Sequence, residues 1–327
     1  MRINSISKIK NIGKNFHVLY ERMFNKPLPK FLAKIIAYFN KKDLNKKLKK
    51  HLELKTYDGS NQVVHPDFLE WKNKIWLVCT PYPYGCNKCE NPSVFCGNKL
   101  DKLFPACNNP IDFPSSEAVN SILCDPCFFE VNEKLCICYR ERIQGKDNVK
   151  YNLYVKTSSN GVEWQDKKLI FSTNTSDEDP LISPAVIKYG STNYIYHIKA
   201  KEYGGRIIVA EMGNNFDIKN SKILECKGLP KNFFIWHIGL HSENYNKCAK
   251  NGEKILGLFT VRNGFENRVY KAHQNSPETS WIIDEEIDVP KNIRGECRTV
   301  YKCSYLPNGG IALSFFDNKN RLVIVYI

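Results

Sequence analysis

One unit recurs five times along this chain, and that recurrence limits the folds open to it more than any other feature. Each copy has an apolar lead-in, a short polar or proline-containing step, a strand, a turn and a second aromatic-rich strand. The copies begin VVHPDFLEWKNKIWLVCT, ILCDPCFFEVNEKLCICYR, LISPAVIKYGSTNYIYHI, FIWHIGLHSENYNKCAKNGEKILGLFTV and ECRTVYKCSYLPNGGIALSFF. Aligned, they put His65, Asp125, Ser183, His237 and Arg298 in one column, at separations of 60, 58, 54 and 61 residues. A period of that length holds a four-stranded antiparallel sheet with its turns, and radial repetition protects the edges of such sheets. Five near-equal steps therefore predict an all-β chain, a five-bladed β-propeller over residues 52–327. Outer strands are visible in YVKTSSNGVEWQDKKLIF and RIIVAEMGNNFDIKNSKIL, where Ser-Asn-Gly and Gly-Asn-Asn supply the turns.

Residues 1–51 read differently. The formal charge of +14 divides unevenly: residues 1–50 hold 14 Lys/Arg against 2 acidic residues, or +12, which leaves +2 for the remainder. A nearly neutral body argues against a nucleic-acid groove spread over the fold, and no nucleic-acid partner is expected. Phe31, Leu32, Ile35, Ile36 and Phe39 fall on one helical stripe with Lys30, Lys34, Lys41 and Lys42 around it. Such a helix suits an anionic membrane surface, or equally the side of the propeller with its lysines in water. No apolar run reaches the roughly 18 residues of a membrane span, and no leader-like stretch opens the chain, so the expectation is a cytoplasmic protein, at most peripheral to a membrane.

Thirteen cysteines in such a chain read as reduced thiols filling the core. Cys86-x-x-Cys89 and Cys124-x-x-Cys127 have zinc-ligand spacing. The second pair lies in a strand-like run, however, where residues three apart point to opposite faces.

The motifs His65-Pro66, Thr80-Pro81-Tyr82-Pro83, Glu90-Asn91-Pro92-Ser93-Val94, Asn109-Pro110, Asp125-Pro126 and Ser183-Pro184 resemble, in order and spacing, the five-bladed propeller superfamily of arabinanases, levansucrases and invertases. They are most similar to a branch of it found among bacterial surface-polysaccharide genes. The resemblance covers roughly residues 55–327. It implies three channel carboxylates on the first strands of the first three blades: an Asp base, an Asp that orients and tunes, and a Glu acid. Only the second is matched, by Asp125. His65 stands where the base is expected, and Ile182 or Ser183 where the acid is expected. Glycoside hydrolysis generally uses two carboxyl groups flanking the bond, so this departure bears on the reaction.

In a propeller the first strand of each blade lines the axis, so the column converges at the channel mouth. His65 is the candidate general base, since an imidazole titrates near neutrality, with Asp125 holding it. Glu90 is the candidate acid, because it precedes Asn91-Pro92 on a loop that overhangs the channel; the stretch Asp177-Glu178-Asp179 is the other candidate. Arg140 and Arg298 supply positive charge suited to an acidic or phosphorylated sugar. Tyr82, Tyr84 and Trp236 offer flat faces to sugar rings, and Asn91, Ser183 and His237 offer polar contacts. Each of these side chains has a purely structural alternative in the core or in the blade contacts. No cofactor is expected; a divalent cation in the channel stays open, with His237 as its pointer. Two functions follow: glycosyl transfer or glycoside cleavage in surface-polysaccharide metabolism, or glycan binding without catalysis. No phosphate-cradling glycine loop, metalloprotease helix or Gly-x-Ser-x-Gly elbow is present.

Overall fold

A computed structural model describes residues 51–114, 121–145, 149–173, 180–199, 206–263, 266–289, 300–316 and 322–326. The expected basic helix, Arg298 and the acidic stretch 177–179 lie outside them. Five sheets stand around one axis, antiparallel except for two short edge pairings, Cys226–Lys227 and Cys248–Ala249, which are parallel. Their innermost strands are Val63–Trp71, Ser121–Val131, Ile182–Tyr189, Phe234–Ser242 and Val300–Tyr305, and neighbouring inner strands touch in a closed ring. The chain is thus an all-β, five-bladed propeller, as the repeat predicts.

The ring is closed by the segment that precedes the first blade. Leu52 donates its N–H to the Ile324 carbonyl at 2.8 Å, and His51 bridges Val325 antiparallel, so this segment lies along the outermost strand of blade five. The apolar alternation of every strand feeds one of five buried clusters, each between two neighbouring blades. Phe68, Leu77 and Phe95 meet Ala312 and Ile324 across blades one and five, for example. Because the core sits between blades, the axis is left to polar side chains. The inner strands crowd there: a side chain at Gly239 would stand 2.4 Å from the carbonyl oxygen of Cys303.

Each inner strand slips register against its neighbour at one place. The slips fall between Val64 and Asp67, Cys124 and Cys127, Ile182 and Ala185, Ile235 and His237, and Val300 and Cys303. At the first three, His65, Asp125 and Ser183 adopt φ of 57°, 55° and 53°. Left-handed backbone at such residues costs about 1–3 kcal/mol each and persists where the surroundings over-determine it. An extra residue at each slip re-aims a side chain; in the first three blades the aligned residue sits in the bulge, and in blade four the bulged residue is Trp236, next to His237.

In blade five the bulge falls on Tyr301 and Lys302. The proline that follows His65, Asp125 and Ser183 anchors the alignment of the first three units; the fifth has none.

Further along the inner strands the axis holds a second polar cluster. Asp67 accepts from Lys247 Nζ at 2.9 Å and from the N–H of Phe128 at 2.7 Å, while Lys247 also donates to the Leu240 carbonyl at 2.7 Å.

Candidate functional site

The bulges bring residues of separate blades together at one end of the axis. Asp125 stands at the centre. Its Oδ1 lies 3.2 Å from His65 Nε2 and 3.5 Å from His237 Nδ1. Its Oδ2 lies 3.0 Å from Arg140 Nη2 and accepts the Ser183 N–H at 3.3 Å. The other ring nitrogen of His65, Nδ1, is 3.2 Å from Glu90 Oε1 and 3.4 Å from the Thr80 hydroxyl. The imidazole of His65 is therefore held between two carboxyl groups. His237 packs beside it, ring centroids 4.9 Å apart.

Glu90 reaches this place through its loop. Two short 3-10 turns, Pro83–Gly85 and Asn87–Cys89, lead from Tyr82 to Glu90, whose carbonyl accepts the Leu123 N–H at 3.0 Å. That bond ties the loop to the inner strand that carries Asp125.

His65, Asp125, Glu90 and His237 are buried, and burial bears on the charge of the carboxyl groups and of His237. It raises the Glu90 carboxyl above its ordinary range; the hydrogen-bonding capacity and charge of His65 offset this only in part. Burial pushes Asp125 upward as well, but His65, Arg140, His237 and Lys302 around it prevail and hold it well below the usual carboxylate range. His237 is driven well below the ordinary imidazole value by burial, against the pull of Asp125. One ionised carboxylate and one carboxyl biased toward its protonated form thus share one imidazole, the division of labour that acid–base chemistry requires.

The geometry sorts the sequence candidates. His65, Asp125, Glu90, His237 and Arg140 meet in the cluster. Arg140 is taken up internally, donating to the Pro180 carbonyl at 2.9 Å and to Cys124 Sγ at 3.2 Å besides its ion pair with Asp125. Tyr82 and Trp236 line the mouth. Ser183 lies at the axis, but its hydroxyl donates to the Ile238 carbonyl at 3.2 Å and accepts the Ile238 N–H at 3.0 Å, clipping blade three to blade four. Asn91 is buried and donates to the Tyr57 hydroxyl at 2.9 Å, beside the loop rather than in the cluster. Tyr84 points outward, 72% exposed. The described cysteines are free thiols.

Three residues of the site had gone unremarked, and a fourth, Thr80, had been noted only within its motif. Tyr301 stands 5.1 Å from Trp236 and 5.8 Å from Tyr82, ring to ring, completing an aromatic wall. Arg262 stacks over Trp236 at 4.9 Å. Thr80 touches His65. Lys302, fully buried, donates to the Pro126 carbonyl at 3.0 Å directly beside Asp125. The signal for Tyr301 and Lys302 was the fifth bulge; Thr80 and Arg262 sit on second strands, where no repeat column pointed.

A metal ion fits these residues. Ligand atoms of His65, Asp125 and His237 lie within 4.8 Å of one another, and they form the one such group among the described residues. Asp125 Oδ1, both nitrogens of His237 and Glu90 Oε1 are buried without an aligned hydrogen-bond partner. Buried polar atoms are rarely left so, and here they converge. Two imidazoles and one carboxylate favour zinc or a late transition metal over calcium or magnesium.

Neither a known protein family nor a curated protein matches the sequence. Solved structures do match in fold. An N-acetylgalactosamine deacetylase from F. plautii, in complex with blood group B trisaccharide, superposes with a TM-score of 0.65 at 14% identity over 85% of this chain and 93% of that one. A GH43_1 enzyme from Xanthomonas citri gives 0.63 at 10% identity over 88% and 92%. A GH43 endo-arabinanase from Bacillus licheniformis gives 0.54 at 11% identity over 84% and 95%. The chain shares the five-bladed propeller fold of these carbohydrate-active enzymes.

Proposed function

We propose that this protein is a carbohydrate-directed hydrolase that removes an acyl substituent from a sugar bound at the propeller mouth. The observation that carries this reading is the position of His65 between Glu90 and Asp125. Cleaving a glycosidic bond between two carboxyl groups requires the bond to lie in the gap of roughly 5–9.5 Å that separates them. Here an imidazole fills that gap, and at the third carboxylate position Ser183 is clipped to backbone. Hydrolysis of an acyl group instead needs one proton carrier beside the attacked carbonyl, and Glu90, whose burial raises its pKa and so makes its carboxylate a stronger base and its conjugate acid a ready donor, suits that task.

A divalent cation held by His65, Asp125 and His237 would supply Lewis-acid polarisation of the acyl carbonyl and activation of water. Glu90, outside that donor set, takes the proton from the attacking water and returns it to the leaving amine or hydroxyl. Asp125 fixes the orientation of both imidazoles, and Arg140 and Lys302 keep Asp125 ionised. Tyr82, Trp236 and Tyr301 face the sugar ring and exclude water from it. The likeness to a deacetylase lends support, and the surface-polysaccharide setting that the sequence resemblance implies is one in which acylated sugars occur.

The test is product analysis. Acetylated amino-sugar oligomers and O-acetylated polysaccharides, incubated with the protein and Zn²⁺, should release acetate without new reducing ends. New reducing ends without acetate would replace this reaction with glycoside cleavage. Saturable sugar binding with neither product would leave a glycan-binding propeller.

A further inference from the structure

We infer that Tyr57, which lies outside the five-fold repeat, is the positioning residue for Glu90, its hydroxyl bridging the residues on either side of that glutamate. The role rests on Glu90 being the proton carrier of the proposed reaction. The phenol donates to the Cys89 carbonyl at 2.9 Å and accepts from Asn91 Nδ2 at 2.9 Å. Glu90 sits between those two contacts. A third, from the Leu123 N–H to the Glu90 carbonyl at 3.0 Å, ties the same stretch to the inner strand that carries Asp125. Burial raises the Tyr57 phenol above its ordinary range, against the hydrogen bond from Asn91, so it remains protonated and a donor wherever Glu90 titrates.

The other end of the loop is held by the same segment. Gln62 accepts the Tyr82 N–H with its carbonyl at 2.9 Å and the Tyr84 N–H with its side-chain oxygen at 3.1 Å. Residues 56–62 therefore clasp both ends of the excursion from Tyr82 to Asn91 that carries Glu90 to the cluster. The clasp is stiffened from within: the Thr56 N–H donates to Asn61 Oδ1 at 3.2 Å, and the Asn61 N–H donates back to Thr56 Oγ1 at 2.8 Å. Behind it, Leu52 and Leu54 are buried between blades one and five. The segment that closes the ring thus also sets where the Glu90 carboxyl stands, 3.2 Å from His65 Nδ1. Tyr57 is 37% exposed, and its ring belongs to none of the five buried clusters. Tyr57→Phe therefore removes one oxygen and both of its contacts while sparing the core.

The experiment follows the Glu90 carboxyl itself. Its pKa comes from the pH dependence of the stability difference between a chain and its Glu90→Gln counterpart, measured in the wild-type and in the Tyr57→Phe background. Released from the clasp, the loop lets water reach the carboxyl, so its raised pKa should fall toward the ordinary 4.5. For acyl release, kcat should drop about tenfold or more with KM little changed, and the limb of the kcat–pH profile that reports Glu90 should move to lower pH with it. Asn91→Ala, which removes the other half of the bridge, should act in the same direction, and adding it to Tyr57→Phe should cost less than the two single effects combined. An unmoved Glu90 pKa with full kcat in Tyr57→Phe, whether or not stability falls, would make Tyr57 a purely structural residue and overturn the inference. Absence of acyl release from the wild type would overturn the proposed reaction instead, and the stability series would still decide whether Tyr57 holds Glu90.

Discussion

Asp125 and Arg140 face each other at 3.0 Å, the carboxylate buried on the inner strand of blade two and the half-buried guanidinium on the strand beside it. Removing one partner of such a pair leaves a charge without compensation in a medium that solvates it poorly. Arg140→Met should cost about 3–5 kcal/mol of unfolding free energy, measured by urea denaturation. It should also raise the Asp125 pKa, visible as a new acid-side loss of sugar or metal binding. A change of less than about 1 kcal/mol would mean that the cluster's other cations suffice.

The hydroxyl of Ser183, in the Ile182–Ser183 step where the resemblance implies a third carboxylate, gives both its hydrogen-bonding functions to Ile238. Ser183→Ala should lower stability by about 1–3 kcal/mol, since a buried N–H and C=O lose their partner. Turnover per folded molecule should stay near the wild-type value. A selective rise in KM with stability unchanged would instead make Ser183 a ligand contact.

His241 lies deep on the axis, fully buried, its ring 5.8 Å from Tyr305 and both nitrogens without an aligned partner. Burial lowers its pKa from 6.5 to about 3. The unfolded chain therefore binds the proton first, so the stabilisation is complete above pH 6.5 and is lost as pH falls toward about 3. His237, also depressed by burial, acts in the same direction. Below pH 6.5 each should add a slope of up to about 1.4 kcal/mol per pH unit to acid unfolding. His241→Phe should flatten that slope by one proton's worth, read from denaturation series between pH 7 and 4.

The donor set at the mouth predicts cation binding that calorimetry can follow. Zn²⁺ should bind with one-to-one stoichiometry and raise Tm with the logarithm of its concentration above Kd, while Ca²⁺ should bind far more weakly. His237→Phe should abolish the Zn²⁺ heat. Equal binding of Zn²⁺ by that variant would place the ion elsewhere.

The blades were legible in the sequence because each must bury two faces against its neighbours, which stamps the same apolar alternation on five successive units. The inner column was legible in the first three blades, where a proline after His65, Asp125 and Ser183 marks the bulge. In the fifth, Tyr301 and Lys302 bulge without a proline to mark them. Glu90 could be found from its loop, since Asn91-Pro92 ends the excursion over the channel. Arg262 and Thr80 could not: they lie on second strands, and only the slip between inner and second strands decides which of their residues reach the mouth. The hydroxyl of Ser183 reads as a ligand contact in sequence, because no one-dimensional pattern reveals the backbone of Ile238 beside it.

The central claim is that Glu90 carries the proton at a site organised by His65, Asp125 and His237, and Glu90→Gln tests it most directly. The substitution removes a carboxyl that burial destabilises when ionised, so the variant should gain stability over the wild type as pH rises above 4.5. Its kcat for acyl release should fall by about 10²–10⁴ with KM little changed. A variant that keeps its kcat would contradict the assignment and with it the proton path proposed for this propeller.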